Sequence, residues 1–178
     1  MTRLSVVNPD ETSGKVKELF EGIKNKLGLV PNIFKGLANS PVALETYVTM
    51  SQILSKSQLT AQEREVIALV CSSINDCTYC AAAHSAIAGM LGLPAEVILD
   101  IRKGKVKDEK LQTLVRFTKS VLETKGFVPE KQLQAMRAVE YGDAHIAEVL
   151  AVIAQNFFSN FFNHVNDTEV DFPEVPVV

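Results

Sequence analysis

The chain has 178 residues and a formal net charge of −3, and its 18 Lys and Arg residues form no cluster. This length suits one domain, so we treat residues 1–178 as a single domain and expect no nucleic-acid binding. The beginning of the chain carries no apolar signal segment, and no run of about 18 apolar residues follows, so we expect a cytoplasmic protein without a membrane partner. Three cysteines, an odd number, favour free thiols in a reducing compartment over a disulfide framework.

Apolar residues recur at spacings of three and four through most of the chain, which predicts an all-α fold. Caps, glycines and prolines divide it into segments. The predicted helices cover residues 10–26, 33–38, 41–54, 61–74, 77–92, 94–103, 107–124, 130–139 and 144–164. The fourth opens with a Thr60–Glu63 capping box, and Asp76 is expected to cap the fifth. An extended tail follows over residues 168–178. The similarity of residues 65–70 to residues 148–153 suggests an internal duplication.

The most informative motif is Cys77-Thr-Tyr-Cys80, which His84 follows by four residues and Glu65 precedes by twelve. Two cysteines three residues apart on a helix lie close enough to form a disulfide. His84 falls one turn after Cys80 on the same helical face, so its imidazole can accept the proton of that thiol. The motif therefore predicts a redox couple in which Cys80 attacks an electrophilic oxygen or sulfur and Cys77 resolves the product.

The position of the motif at a helix start bears on the pKa of both thiols. Unpaired amides and the helix dipole favour a thiolate there, whereas the carboxylate of Asp76 disfavours one, more strongly at Cys77 than at Cys80. Glu65 lies on the preceding helix. If the two helices pack antiparallel, its carboxylate would reach the thiol pair or His84 and relay a proton.

Glu65, the two cysteines and His84, in this spacing, resemble the alkylhydroperoxidase AhpD family of the carboxymuconolactone decarboxylase-like superfamily. The resemblance covers a core of about residues 59–93 and extends to two flanking segments, residues 28–32 and 163–173. It implies an all-α homo-oligomer, a trimer or a hexamer built from dimers, with a plain dimer as the alternative. It also implies a thiol peroxidase in which Cys80 is peroxidatic and Cys77 resolving.

The resemblance further implies that Glu65 and His84 form the proton relay. The expected substrate is hydrogen peroxide or an organic hydroperoxide, and the expected reductant is a dithiol or a lipoyl-type protein. We expect no cofactor and no metal. One position departs from the family, because Tyr79 stands where the best-studied members have a histidine. A phenol with an ordinary pKa near 10 is a poor base at neutral pH, so we count Tyr79 as a site residue that tunes the activity differently.

Two other functions are open at this stage. A lyase of the carboxymuconolactone decarboxylase kind would perform acid–base chemistry on a lactone and would need no thiol couple. A non-catalytic helical oligomer would sense oxidation through its CxxC pair, or would hold zinc with the two cysteines, His84 and Glu65.

Further polar and thiol side chains lie within apolar helices. Cys71 follows an apolar run and is predicted to be a core residue. Asn156, Asn160 and Asn163 share one face of the last helix, which ends near His164. We expect these amides to form hydrogen bonds across a helix–helix or subunit interface rather than to line a cavity.

Overall fold

The computed structural model describes residues 2–178, which form nine α-helices and no β-strand. The predicted all-α fold is thus confirmed. Within these residues no helix is both long enough and apolar enough to cross a bilayer. The helices are α1 (Gly14–Leu27), α2 (Asn32–Leu37), α3 (Pro41–Leu54), α4 (Ala61–Ile74), α5 (Thr78–Met90), α6 (Ala95–Arg102), α7 (Glu109–Thr124), α8 (Glu130–Ala138) and α9 (Asp143–Asn166).

The first helix begins later than its predicted start at Asp10. Pro9–Glu11 form a separate 3-10 turn, because the side chain of Asn8 accepts a hydrogen bond from the Asp10 amide. Gly14, the first residue of α1, has a φ of 58°, a left-handed conformation that glycine adopts without a steric penalty, so the chain changes direction between this turn and the rest of α1. The other predicted helices lie within about two residues of their observed bounds.

The connection between α4 and α5 also differs from the prediction. The Thr60–Glu63 capping box is present at the start of α4, and Asn75 ends that helix as expected. Asp76, however, does not cap α5: it has a φ of 52° and an exposed side chain. Cys77 is the N-cap instead, and its Sγ accepts a hydrogen bond of 3.3 Å from the Cys80 amide. The left-handed conformation of Asp76 leaves its carboxylate in solvent, so the Cys77 sulfur caps α5 in its place.

Helix α4 is the centre of the fold and packs against α5, α6, α7 and α9. Its side chains from Val66 to Ser72 are all buried, and burying a single aliphatic side chain of this size contributes about 1.5–3 kcal/mol. One apolar cluster joins α4 to α6–α9, and a second joins α1–α3 to the first turns of α5. Cys77 and Cys80 belong to the second cluster.

The two similar segments, residues 65–70 and 148–153, lie on α4 and α9, which pack against each other. The internal duplication stays a prediction.

Candidate active site

Helices α4 and α5 form an antiparallel hairpin. The side chain of Gln62, near the beginning of α4, donates a hydrogen bond of 2.8 Å to the carbonyl of Leu91, just beyond the end of α5. This orientation places Glu65 opposite His84, and Glu65 Oε2 lies 2.8 Å from His84 Nδ1. Both side chains are largely buried, with 15% and 16% exposed. The carboxylate therefore fixes the orientation of the imidazole, as in acid–base sites generally.

Cys77 and Cys80 are joined by a disulfide, with their Cα atoms 5.3 Å apart. Only 1% of Cys77 and 2% of Cys80 is exposed. The third cysteine, Cys71, is a free thiol in the main core, as predicted, and burial raises its pKa to about 12. A thiol with such a pKa is unreactive at neutral pH, so reactivity rests with the CxxC pair.

The sulfur of Cys80 borders a cavity of about 80 Å³, which we name the Cys80 cavity. His84 lines it as well, because residues four apart on a helix share a face. Apolar side chains from α2, α5 and the C-terminal tail make up much of the remaining wall. The lining residues are Leu27, Pro31, Ile33, Phe34, Tyr47, Tyr79, Cys80, Ala83, His84, Ile87, Ser159, Asn163 and Phe172.

Asn163, on α9, lies directly against the motif, although 83 residues separate it from Cys80. Its Nδ2 donates a hydrogen bond of 3.3 Å to Cys80 Sγ, and Asn163 lines the Cys80 cavity. The expected hydrogen bond across a helix–helix interface is therefore confirmed for Asn163, which bonds from α9 to α5, but Asn163 also lines a cavity, contrary to expectation. Asn160 forms such a bond too, since its Oδ1 accepts a hydrogen bond of 2.8 Å from Asn75 between α9 and the end of α4. His164 is exposed and lies off this buried face.

Asn163 could have been suspected from its sequence context. A buried amide in so apolar a helix requires partners, and the row of three asparagines signals that such partners exist. The sequence does not indicate which of the three meets the sulfur, because this depends on how α9 crosses α5. Asn156 has a local partner, since its Nδ2 donates to the Val152 carbonyl within α9.

Tyr79 is held by the C-terminal tail and by α2. Its hydroxyl donates a hydrogen bond of 2.8 Å to Asp171 Oδ1 and accepts one of 3.3 Å from the Ile33 amide. Burial, together with the Asp171 carboxylate, raises the pKa of Tyr79 above its ordinary value. The hydroxyl therefore stays protonated at neutral pH. The hydroxyl thus bonds to Asp171 and Ile33 and not to the Glu65–His84 pair. The ring of Tyr79 lines the Cys80 cavity, where it packs against Phe172.

A second, larger pocket of about 330 Å³ also has His84 in its wall, and we name it the Glu65 pocket. Glu65, Arg64 and Lys26 supply charged groups to its wall. His84 and Tyr47 border both this pocket and the Cys80 cavity. His84 is thus common to the cavity that Cys80 lines and to a charged pocket. Sequence analysis missed Tyr47, since nothing in its local pattern distinguishes it from other aromatic residues of an amphipathic helix.

Cys77 faces a different space from Cys80. It borders a groove of about 140 Å³, the Cys77 groove, together with Asp76, Thr78 and Arg102. Residues 175–178 of the tail form the opposite wall. The two cysteines of one disulfide therefore line two separate cavities. Among residues 2–178, no group of three or more His, Cys, Asp or Glu side chains is arranged to hold a metal ion.

Fold and site together define an all-α protein with a buried CxxC disulfide beside a glutamate–histidine pair. Residues 41–106 match the model of the carboxymuconolactone decarboxylase family. This segment includes Glu65, both cysteines and His84, and it ends before Asn163. A search of curated proteins finds no significant match.

Three solved structures illustrate the fold. An uncharacterized peroxidase-related protein from Silicibacter sp. TM1040 is 26% identical, with a TM-score of 0.81 over 94% of this chain and 89% of that one. A second uncharacterized peroxidase-related protein, from Ralstonia eutropha JMP134, has an alkylhydroperoxidase AhpD core. It is 23% identical, with a TM-score of 0.88 over 96% of this chain and 92% of that one. The debrominase Bmp8 is 16% identical, with a TM-score of 0.82 over 96% and 93%. The expected AhpD-like fold is confirmed.

Proposed function

We propose that this protein is a thiol-dependent peroxidase that reduces hydrogen peroxide or organic hydroperoxides through the Cys77/Cys80 couple. One observation carries the proposal: a CxxC disulfide whose Cys80 sulfur borders the same cavity as His84, which Glu65 holds at 2.8 Å. This is the constellation that a nucleophilic thiol needs, namely a neighbouring base and a carboxylate that orients the base.

In the oxidative half-reaction, His84 takes the proton of the Cys80 thiol, and the thiolate attacks the terminal oxygen of the peroxide. The S–O bond forms as the O–O bond breaks, and the leaving alkoxide or hydroxide takes a proton from the His84 imidazolium. Cys77 then attacks the sulfenic acid, closes the disulfide and releases water. Glu65 stabilises the imidazolium during these transfers. The charged Glu65 pocket supports this role, because it offers His84 a second side for proton exchange.

In the reductive half-reaction, a dithiol attacks Cys77 from the Cys77 groove. The sulfur that leaves is Cys80, which returns directly to its place beside His84 and Asn163 as a thiolate. A second attack by the reductant closes the disulfide of the dithiol and frees Cys77. Overall, one alkyl hydroperoxide and one dithiol yield one alcohol, one water and one oxidised dithiol. With hydrogen peroxide, water takes the place of the alcohol. A dithiol or lipoyl-type protein fits this role.

The proposal includes a homo-oligomer, a trimer or a hexamer with a dimer as the alternative, in the reducing environment of the cytoplasm. Exposed apolar side chains support further association: Val42 and Ile53 on α3 and Phe161 and Val165 on α9 are each more than half exposed. Light scattering coupled to size-exclusion chromatography measures the assembly.

The decisive experiment is peroxide consumption with several hydroperoxides and dithiol reductants, for the wild type and for Cys80→Ser. We expect Cys80→Ser to lose turnover and Cys77→Ser to accumulate a sulfenic acid that dimedone traps. Cys71→Ser is the matched control, because its buried thiol should not contribute. Full activity of Cys80→Ser would contradict the assigned roles.

Two rival activities are tested with cysteine variants and with substrates of their own. A lyase of the kind in the family's description would keep its activity on a lactone when both cysteines are replaced by serine, since it needs no thiol couple. A debrominase is distinguished by including 2,3,4-tribromopyrrole, the ligand of Bmp8 C82A in its complex structure, among the candidate substrates.

A further inference from the structure

We infer that Asn163 binds the O–H group of the hydroperoxide in the Cys80 cavity and also stabilises the Cys80 thiolate. The inference rests on the proposed peroxidase function and deepens it. The two polar atoms of the amide act on the two reaction partners. Nδ2 donates to the attacking sulfur, and Oδ1 accepts from the O–H group of the peroxide.

The orientation of the amide follows from the chemistry of its partner. Asn163 is 4% exposed, and one polar atom of its side chain lies 3.3 Å from Cys80 Sγ. A disulfide sulfur carries no proton, so it can only accept a hydrogen bond. The amino end of the amide must therefore face the sulfur. A thiolate is a better acceptor than a disulfide sulfur, so this bond strengthens when the couple is reduced.

The other end of the same amide has no partner. Within the part of the chain that the structure describes, Asn163 Oδ1 is buried and accepts no hydrogen bond. A buried carbonyl oxygen without a donor is unfavourable, and among the unpaired buried atoms of the described residues this one belongs to a side chain that lines the Cys80 cavity. Asn163 lines the Cys80 cavity, and a ligand in that cavity can supply the missing donor.

An alkyl hydroperoxide meets this requirement with its single donor. Its terminal oxygen carries the only O–H group, and this is the oxygen that the thiolate attacks. A hydrogen bond from that O–H to Oδ1 places the terminal oxygen beside the sulfur. The hydrogen stays on this oxygen as the sulfenic acid forms, the O–O bond breaks, and the alkoxide takes its proton from the His84 imidazolium. One amide thus orients both atoms of the new S–O bond.

The remaining wall of the cavity selects the organic part of the substrate. Leu27, Pro31, Ile33, Ile87 and Phe172 present apolar surface to a volume of about 80 Å³. A charged peroxide would lose its hydration without compensation there. Hydrogen peroxide has no organic group that could contact this apolar surface. A small alkyl group suits the wall better, so we expect tert-butyl hydroperoxide to react faster than hydrogen peroxide.

Several ionisable groups face Cys80 and contribute to the pKa of its thiol. They are His84 and Tyr79 from α5 and Tyr47 from α3, with Glu65 acting through His84 from α4 and Asp171 acting through Tyr79 from the tail. Asn163 is the neutral donor among them. The effect of Asn163 is therefore measured as a difference between variants that keep all five groups.

The test uses the full chain with Cys77→Ser, so that Cys80 is the reactive thiol and no disulfide forms. Asn163→Leu removes both polar atoms at nearly constant volume, and Asn163→Asp keeps an acceptor but places a carboxylate beside the sulfur. Asn160→Leu is the matched control, since Asn160 is equally buried one turn earlier and does not line the cavity. Circular dichroism and thermal unfolding establish that each variant is folded.

The first measurement is the pKa of the Cys80 thiol, from the pH dependence of its reaction with methyl methanethiosulfonate. Loss of a hydrogen bond to a charged group should raise this pKa by about one to two units in Asn163→Leu. Asn163→Asp should raise it further, because a second anion disfavours the thiolate. An unchanged pKa in Asn163→Leu, or an equal rise in Asn160→Leu, would overturn the inference. If Asn163→Leu does not fold, Asn163→Ala removes the same two polar atoms and decides the same point.

The second measurement isolates the acceptor. The measurement is made at a pH above the thiol pKa of each variant, where Cys80 is fully ionised. The rate with tert-butyl hydroperoxide is divided by the rate with methyl methanethiosulfonate. The thiosulfonate has no donor hydrogen, so its rate does not depend on the acceptor. We expect this ratio to fall about tenfold or more in Asn163→Leu and to stay within about twofold in Asn160→Leu. An unchanged ratio refutes the acceptor role. A wild-type thiol that reacts with the thiosulfonate but with no hydroperoxide refutes the peroxidase proposal, while the pKa measurement still decides the donor role.

Discussion

Glu65 Oε2 and His84 Nδ1 lie 2.8 Å apart, although nineteen residues separate them in the chain. The antiparallel packing of α4 and α5 creates this contact, and it leaves the other nitrogen of the imidazole free to act towards the Cys80 cavity. The packing of the helical hairpin thus brings together the two side chains of a candidate acid–base pair.

Glu65→Gln should lower kcat/KM for hydroperoxides by about 100-fold, within the range of general acid–base catalysis. Glutamine keeps an acceptor oxygen for His84 but loses the charge that stabilises the imidazolium, so the fold should be unaffected. Steady-state kinetics and thermal unfolding measure the two effects. Glu96→Gln, an exposed change on α6, is the control and should retain activity. Unchanged turnover in Glu65→Gln would remove Glu65 from the mechanism.

Tyr79→Phe should destabilise the fold more than it slows the reaction. It removes the hydrogen bond to Asp171 and leaves the buried Ile33 amide unpaired, which costs about 1–3 kcal/mol of unfolding free energy. Asp171→Asn perturbs the same contact from the tail and should act similarly. Urea denaturation gives the stability, and kcat should change by less than about threefold. A large loss of kcat in a stable Tyr79→Phe variant would instead give Tyr79 a role in the chemistry.

The buried carboxylate of Glu63 makes stability depend on pH. Burial by itself would raise its pKa, but hydrogen bonds from Tyr141, 2.6 Å long, and from Thr60 outweigh burial and hold the pKa below the ordinary 4.5. Stability from this group is therefore fully present above about pH 4.5 and is lost as the pH falls through the lowered value. Tyr141→Phe should cost about 1.5–3 kcal/mol at neutral pH, with a difference from wild type that shrinks below pH 4.5. A difference that is constant down to pH 3 would contradict this assignment.

Deleting residues 174–178 should accelerate reduction of the Cys77–Cys80 disulfide several-fold. Residues 175–178 cover the Cys77 groove with valine and proline side chains, and Val177 is fully exposed, so the segment is weakly held. The deletion retains Asp171 and the contact with Tyr79. Stopped-flow reduction by glutathione measures the effect, and the reaction of Cys80 with peroxide in the Cys77→Ser background is the control. Equal rates of reduction with and without the tail would show that the groove is not the route to Cys77.

Much of the fold follows from short-range signals. The Thr60–Glu63 box, the Ser40 cap before Pro41 and the glycines and prolines between helices place most helix bounds within about two residues, because capping depends on neighbours a few positions away. The predicted start of α1 and the predicted cap of α5 were wrong for the opposite reason. There, Gly14 and Asp76 adopt left-handed backbone conformations that redirect the chain, and the capping signals that place the other helix ends do not predict such conformations.

By itself, the sequence determined the spacing of Cys77, Cys80 and His84, since residues three and four apart must share a helical face whatever surrounds them. Only the tertiary structure decided which groups complete the site. Asn163 reaches Cys80 from 83 residues away, Asp171 reaches Tyr79 from 92, and the tail covers Cys77. These contacts depend on how α9 and the tail cross α5, and such packing arises from the summed burial of whole helix faces rather than from any local pattern.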